Sequence, residues 1–227
     1  MQSELIITSD GSHSLYVSEI DETYHSIHGA IQESRHIFIE AGLKYCKKKR
    51  ISVLEVGFGT GLNAFLTMIE AEQSKKQIQF ITLEKYPVEI EKALSLNYPK
   101  EFMPEKKNLF AQLHTSVWNQ NIQITPFFSL KKIETDFTKY FFENKFDVIY
   151  FDAFSPEKQA EMWTQERFDV IFEHCNSGAS LTTYCSKGSV RRALQNAGFI
   201  VERLPGPIGK REILRGIKAP KSPDRGL

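Results

Sequence analysis

From residue 51 onward, short apolar runs alternate with amphipathic stretches. Ile51–Val56, Gln77–Leu83, Ile122–Leu130, Phe146–Phe151, Ala179–Tyr184 and Phe199–Leu204 read as strands, with Arg211–Ile217 as a last one. Phe146–Phe151 is apolar throughout except for Asp147. Between the strands, Leu62–Glu72, a stretch from about Pro87 to Leu96, Thr164 to about His174, and Ser189–Ala197 read as helices. Pro87 is expected early in its helix, where its missing N–H costs nothing. Asn97–Asn119 is less regular, and Asp136 is placed to cap a short helix through Phe142. Upstream, Leu5–Ser9 and Leu15–Val17 flank Asp10-Gly11, a hairpin signal. Ile27 to about Lys48 reads as a helix, with Ile31, Phe38 and Ala41 apolar and a basic end that suits the helix dipole.

This alternation predicts an α/β fold: a mostly parallel, Rossmann-like sheet with helices on both faces, preceded by a small N-terminal hairpin and helix. Ligands of such sheets bind at the carboxyl ends of the strands, near the switch point. The expected organisation is a hairpin and helix over 1–50 packed on the main domain, a main domain over 51–217, and a mobile tail over 218–227.

Composition narrows the class. With 227 residues, 41% of them hydrophobic, the chain can bury one sizeable core. No apolar run approaches the roughly 18 residues that cross a bilayer, and the N-terminus lacks the pattern of a secretory signal. Cys46, Cys175 and Cys185 are widely spaced and suit a reducing cytoplasm. The formal net charge is +1, unevenly spread. From Lys187 to the end, ten Lys/Arg stand against three Asp/Glu, a net +7, which leaves −6 for the remainder. A basic C-terminal segment is either a polyanion footprint or a solvated face.

The candidate chemistry sits at two strand ends. Glu55-Val-Gly57-Phe-Gly59-Thr-Gly61 follows the first strand of the alternation. A dinucleotide fingerprint would need its third glycine at position 62, which is Leu62. The observed G-x-G-x-G after an acid resembles motif I of class I S-adenosylmethionine-dependent methyltransferases. That cofactor has an ammonium and a sulfonium and no pyrophosphate, so Glu55 is suited to complement its charge directly or through water. Glu84 closes the next strand, where an acid accepts hydrogen bonds from ribose hydroxyls. The ordinary alternative makes Glu55 a buried structural acid and Glu84 a solvated strand end.

The second strand end is Asp152-Ala-Phe-Ser-Pro156. An alkylamine acceptor is mostly protonated at neutral pH, so a nearby carboxylate is needed to hold it and take its proton. Asp152 is the candidate, with Phe154 and Trp163 as candidate stacking surfaces for a base. Equally, Asp152 caps its loop and the aromatics fill core.

Several segments together resemble one family, the methyltransferase domain of MnmC-type tRNA wobble-uridine modification enzymes. They are Glu55–Asn63, Asp152–Pro156, Met162-Trp-Thr164, Thr182-Thr-Tyr184, Val190–Leu194 with Ala197-Gly-Phe199, Gly209-Lys-Arg-Glu212 and Tyr24–Glu33. The resemblance implies a cytoplasmic tRNA methyltransferase that uses S-adenosylmethionine. Its reaction would methylate the exocyclic amine of 5-aminomethyl-(2-thio)uridine at the wobble position. It also implies that Glu55, Gly57, Gly59, Gly61, Glu84, Tyr24 and Glu33 hold the cofactor or cover its pocket. Asp152 would face the amine, and Lys210 and Arg211 would lie near the acceptor nucleotide or its phosphates. Some relatives carry a C-terminal flavin oxidase domain. This chain has no room for one, so the amine is expected from another enzyme. The third strand of the alternation carries no acid at its end, where Phe128-Ser-Leu-Lys131 stands, which leaves adenine recognition unassigned.

His25, His28 and His36 lie within twelve residues, but no cysteine completes a zinc set, so packing or solvent-facing roles are expected and no metal. The competing functions are a small-molecule amine methyltransferase, a spermidine synthase-like aminopropyltransferase and a non-enzymatic nucleotide-binding module.

Overall fold

The computed structural model describes residues 2–220. An eight-stranded sheet carries the main body. Its five central strands are parallel, in the order β9 (Cys175–Thr183), β8 (Phe146–Phe151), β4 (Arg50–Val56), β5 (Gln77–Glu84) and β7 (Phe128–Glu134). The edges are antiparallel: β11 (Glu212–Ile217) and β10 (Ile200–Pro205) follow β9, and β6 (Asn121–Thr125) follows β7. A separate three-stranded antiparallel sheet contains β1 (Glu4–Ile7), β2 (His13–Val17) and β3 (Glu22–Thr23).

Every residue of β8 is buried, because parallel strands are covered on both faces. Its side chains alternate between two cores. Val148 and Tyr150 join Phe65 and Met68 of α2 (Leu62–Ser74). Ile149 and Phe151 join Phe168 of α6 (Gln165–Glu173) and Leu194 of α7 (Gly188–Asn196). The chain thus crosses one face after β4 and the other after β8, and β4/β8 is the switch point where a crevice opens.

Three segments depart from the sequence reading. Ile122–Leu130 is two strands, not one: Pro126 cannot donate to a ladder, and the chain turns there to pair β6 with β7. The strand that pairs with β5 therefore ends at Glu134, and Asp136 follows it directly. The expected helix from Ile27 is shorter and irregular. α1 (Ala30–Ser34) widens into a π-helical stretch over Arg35–Glu40, closed by Ala41 N–H donating to His36 O at 3.1 Å. Finally, Pro87 precedes α3 (Ile90–Leu94) instead of starting it. The irregular stretch resolves into α4 (Tyr98–Phe102) and α5 (Lys107–Thr115). Of the expected mobile tail, residues 221–227 lie outside the described residues. Among the described residues, no helix is long and apolar enough to cross a membrane.

Candidate functional site

The parallel strands end along one edge, and a cavity of about 570 Å³ opens there. Its wall includes Gly57–Thr60 from the loop after β4, Glu84–Tyr86 from the end of β5, Thr135–Phe137 after β7 and Asp152–Phe154 after β8. Tyr24, Glu33, Tyr184 and Lys210 complete it.

The loop needs bare peptide at two points. Gly57 has φ +94°, and a Cβ there would lie 2.9 Å from Asp152 O. Gly59 has φ +49°, and a Cβ would meet the Tyr24 ring at 2.8 Å. Gly61 caps α2 and faces His114 and Phe58, away from the cavity wall. Glu84 binds across the loop: Gly59 N–H donates to one carboxylate oxygen at 2.9 Å and Tyr86 N–H to the other at 2.8 Å. Its carboxylate faces the cavity, where a ribose diol requires an acceptor pair. With the strand ending at Glu134, which points away to solvent, Asp136 is the acid on the cavity wall at the third strand end. It accepts from Thr138 N–H at 2.9 Å, as a cap, and pairs with Lys85 at 2.9 Å. The Thr138 hydroxyl and Lys85 together hold its pKa down at about 2.

Asp152 is half-buried on the wall and accepts from Asn63 Nδ2 at 2.8 Å. Burial pushes its pKa up to about 7, helped by nearby Glu33 and opposed by Asn63 and Lys210. Phe154 also lines the cavity, edge-on to Tyr24 with ring centroids 5.0 Å apart. Glu33 is buried and accepts from Ser26 N–H at 2.7 Å, while Lys210 Nζ lies 3.0 Å from its other oxygen.

Other expected site residues fall elsewhere. Glu55 is completely buried beneath the loop and is not on the cavity wall. Burial drives its pKa well above the usual carboxylate range, with Thr82 and Asn63 as its polar neighbours. It is not placed to meet a cofactor's charge directly. Trp163 is also off the wall and cannot offer a face to a base. Its indole N–H donates to Phe154 O at 2.8 Å and its ring packs on Phe151, so it props the loop from behind. Arg211 is exposed outside the cavity; its carbonyl closes the β10–β11 turn by accepting from Gly206 N–H at 3.1 Å.

The basic C-terminal segment is partly consumed internally. Arg215 pairs with Glu202, Arg203 with Glu212 and Lys187 with Glu157, and Lys218 donates to two backbone carbonyls. The three histidines have separate uses. His25 is buried against Thr60 Oγ1 at 2.7 Å, His36 reaches Pro205 O at 2.8 Å and His28 is exposed. No cluster of three metal-ligating side chains occurs among the described residues.

Sequence reasoning assigned no role to Asn63, Tyr184, Glu22 or Lys85. Tyr184 follows β9 on the wall, its hydroxyl donating to Ala153 O at 2.9 Å, and Glu22 accepts from Ser155 N–H at 3.2 Å. The usable signal was position: Asn63 opens the helix after the loop, and Tyr184 follows a parallel strand.

Bare peptide at Gly57 and Gly59 beside an acceptor carboxylate at Glu84 fits a nucleoside cofactor. Residues 97–219, more than half of the chain, match the model of a family described as S-adenosyl-L-methionine-dependent methyltransferase. The chain is 31% identical to the tRNA 5-methylaminomethyl-2-thiouridine biosynthesis bifunctional protein MnmC of Cupriavidus metallidurans, over 92% of this chain and 33% of that protein. The MnmC protein of Leptospira interrogans is 30% identical over 87% of this chain and 33% of its own length. The chain thus spans about a third of these relatives (33% of each). The crystal structure of MNMC2 from Aquifex aeolicus superimposes with a TM-score of 0.77 at 29% identity, covering 100% of this chain and 73% of that one. A spermidine synthase from Thermotoga maritima shares the fold at 15% identity and a TM-score of 0.60. The chain belongs to the S-adenosyl-L-methionine-dependent methyltransferases, and S-adenosylmethionine is its cofactor.

Proposed function

We propose that this enzyme methylates the exocyclic amine of 5-aminomethyl-(2-thio)uridine at the wobble position of tRNA, giving the 5-methylaminomethyl form. The observation that carries the reading is the position of Asp152, a carboxylate on the cavity wall beside the glycine loop. Support also comes from relatives whose names specify biosynthesis of that nucleoside and which match along 92% and 87% of the chain.

When bound, S-adenosylmethionine supplies an electrophilic methyl group on a sulfonium. Glu84 would accept from its ribose, bare peptide at Gly57 and Gly59 would let it approach the backbone, and Tyr24 would cover it. Asp152 receives the acceptor as an ammonium, takes one N–H proton and leaves a lone pair on nitrogen. A carboxylate with its pKa near 7 is matched to that exchange at neutral pH. Asn63 fixes its orientation, and the Ala153-Phe154 turn, propped by Trp163, shapes the space for the uracil ring. Lys210 sits at the acceptor end, with Arg211 and Arg192 exposed as candidate phosphate contacts.

A cytoplasmic setting fits the three cysteines, which are unpaired. The aminopropyltransferase alternative has the shared fold alone in its favour.

The deciding experiment supplies purified enzyme and S-adenosylmethionine with tRNA carrying 5-aminomethyl-2-thiouridine and reads the nucleosides by mass spectrometry. Conversion to the methylaminomethyl nucleoside is expected. Methylation elsewhere on the tRNA, or of small amines only, would remove the assignment.

A further inference from the structure

Lys210 projects from the short turn between β10 and β11, closed by Lys210 N–H donating to Pro207 O at 2.9 Å. Its ammonium lies 3.0 Å from Glu33 Oε1 and 5.1 Å from the centroid of the Tyr184 ring. Glu33 is 7% exposed, and its second oxygen is occupied by Ser26 N–H. The Tyr184 ring is held in place through its hydroxyl bond to Ala153 O. All three side chains line the cavity together with Asp152. A buried carboxylate facing an aromatic ring is a general recognition site for an ammonium group.

The group now in that site is itself a primary alkylammonium on a flexible stem. An aminomethyl acceptor presents the same chemistry. The two cannot share one carboxylate without repulsion, and an empty site would leave Glu33 buried without a counter-charge.

We propose that Glu33, Tyr184 and Asp152 form the subsite for the acceptor's aminomethyl ammonium, and that Lys210 occupies it as an internal ligand until the acceptor displaces it. The inference rests on the amine-acceptor reading above and deepens it. Exchange of one ammonium for another keeps the charge of the site balanced throughout. The turn backbone need not move, because the lysine stem has its own torsions. Displacement also selects: an acceptor bearing a neutral hydroxymethyl group leaves Lys210 unrivalled at Glu33.

The test uses the full chain with S-adenosylhomocysteine and two anticodon stem-loop RNAs that differ only at uracil C5, aminomethyl in one and hydroxymethyl in the other. Taking the ratio of their affinities cancels phosphate contacts. Lys210→Met keeps the stem and removes the competing charge, so the ratio is expected to shift toward the amine by about tenfold, as when the binding-competent fraction rises. Glu33→Gln and, should that variant fold poorly, Tyr184→Leu are expected to shift it the other way. An unchanged ratio in Lys210→Met, with both RNAs weakened alike, makes Lys210 a phosphate contact and overturns the proposal. If the ratio shifts as expected but the wild-type enzyme leaves the aminomethyl RNA unmethylated, the wobble-amine function falls and the ammonium subsite stands.

Discussion

Asn63 Nδ2 donates to Asp152 Oδ2 at 2.8 Å, joining the first turn of α2 to the end of β8. The bond crosses the switch point of the sheet, so the glycine loop and the candidate base are positioned as one unit. Replacing Asp152 with Asn keeps the shape and removes the proton acceptor. Methyl transfer should fall about a hundredfold or more, while calorimetry should find S-adenosylmethionine affinity within a few-fold of wild type. Turnover equal to wild type would exclude Asp152 from the reaction.

The same bond sets a pH dependence. In the proposed mechanism Asp152 would act as a base only when ionised, and burial raises its pKa to about 7, so kcat/KM should rise with pH through about 7. The Asn63 bond favours the ionised form. Asn63→Leu should therefore move the acid limb of the profile upward. A limb that stays in place would show that another group governs it.

Glu84 is the ribose acceptor in this reading. Glu84→Ala should weaken S-adenosylmethionine binding by roughly ten- to a hundredfold, the loss of a charge-assisted hydrogen bond. Calorimetry decides it. An affinity unchanged by the substitution would leave Glu84 with only its structural bonds to Gly59 and Tyr86.

Glu55 is completely buried, and loss of solvation raises its pKa well above the usual carboxylate range, which favours its neutral form. An acid with a raised folded pKa contributes most below its unfolded pKa, the ordinary glutamate value of 4.5, and its contribution is lost as pH rises toward the folded value. Glu55→Gln should thus fold, bind cofactor and lose less stability than wild type between mildly acidic and alkaline pH. Thermal unfolding across that range measures the difference. Parallel curves for the two proteins would mean that Glu55 does not change protonation on folding.

Trp163 separates support from stacking. Trp163→Phe keeps an aromatic ring but loses the N–H that holds Phe154 O. Turnover should drop about tenfold through misplacement of the loop, with little change in tRNA affinity. A loss confined to tRNA affinity would mean that the indole meets the substrate after all.

The sheet was legible because its parallel strands are short, apolar and separated by amphipathic helices. β8 falls on the same residues, Phe146–Phe151, in sequence and structure. What misled was local chemistry whose meaning depends on three-dimensional context. Pro126 was absorbed into one long strand, which hid Asp136 from the strand end it serves. Glu55 and Glu84 both looked like strand-end acids. β-strand alternation turns one below the loop and leaves the other on the cavity, and only a known register distinguishes them. Trp163 looked like a surface for a base because a sequence does not say which side of a loop an aromatic takes. Lys210 and Glu33 are 177 positions apart, so no spacing rule connects them.

Tyr24 lies against Gly59 at one end and Phe154 at the other. The segment that carries it is fastened on both sides, by His25 to Thr60 and by Glu22 to Ser155. In the proposed mechanism a tyrosine in that place would separate an inner cofactor from an outer nucleotide. On the proposed reading the cofactor would therefore enter before the nucleotide and leave after it, an order that product-inhibition kinetics would reveal.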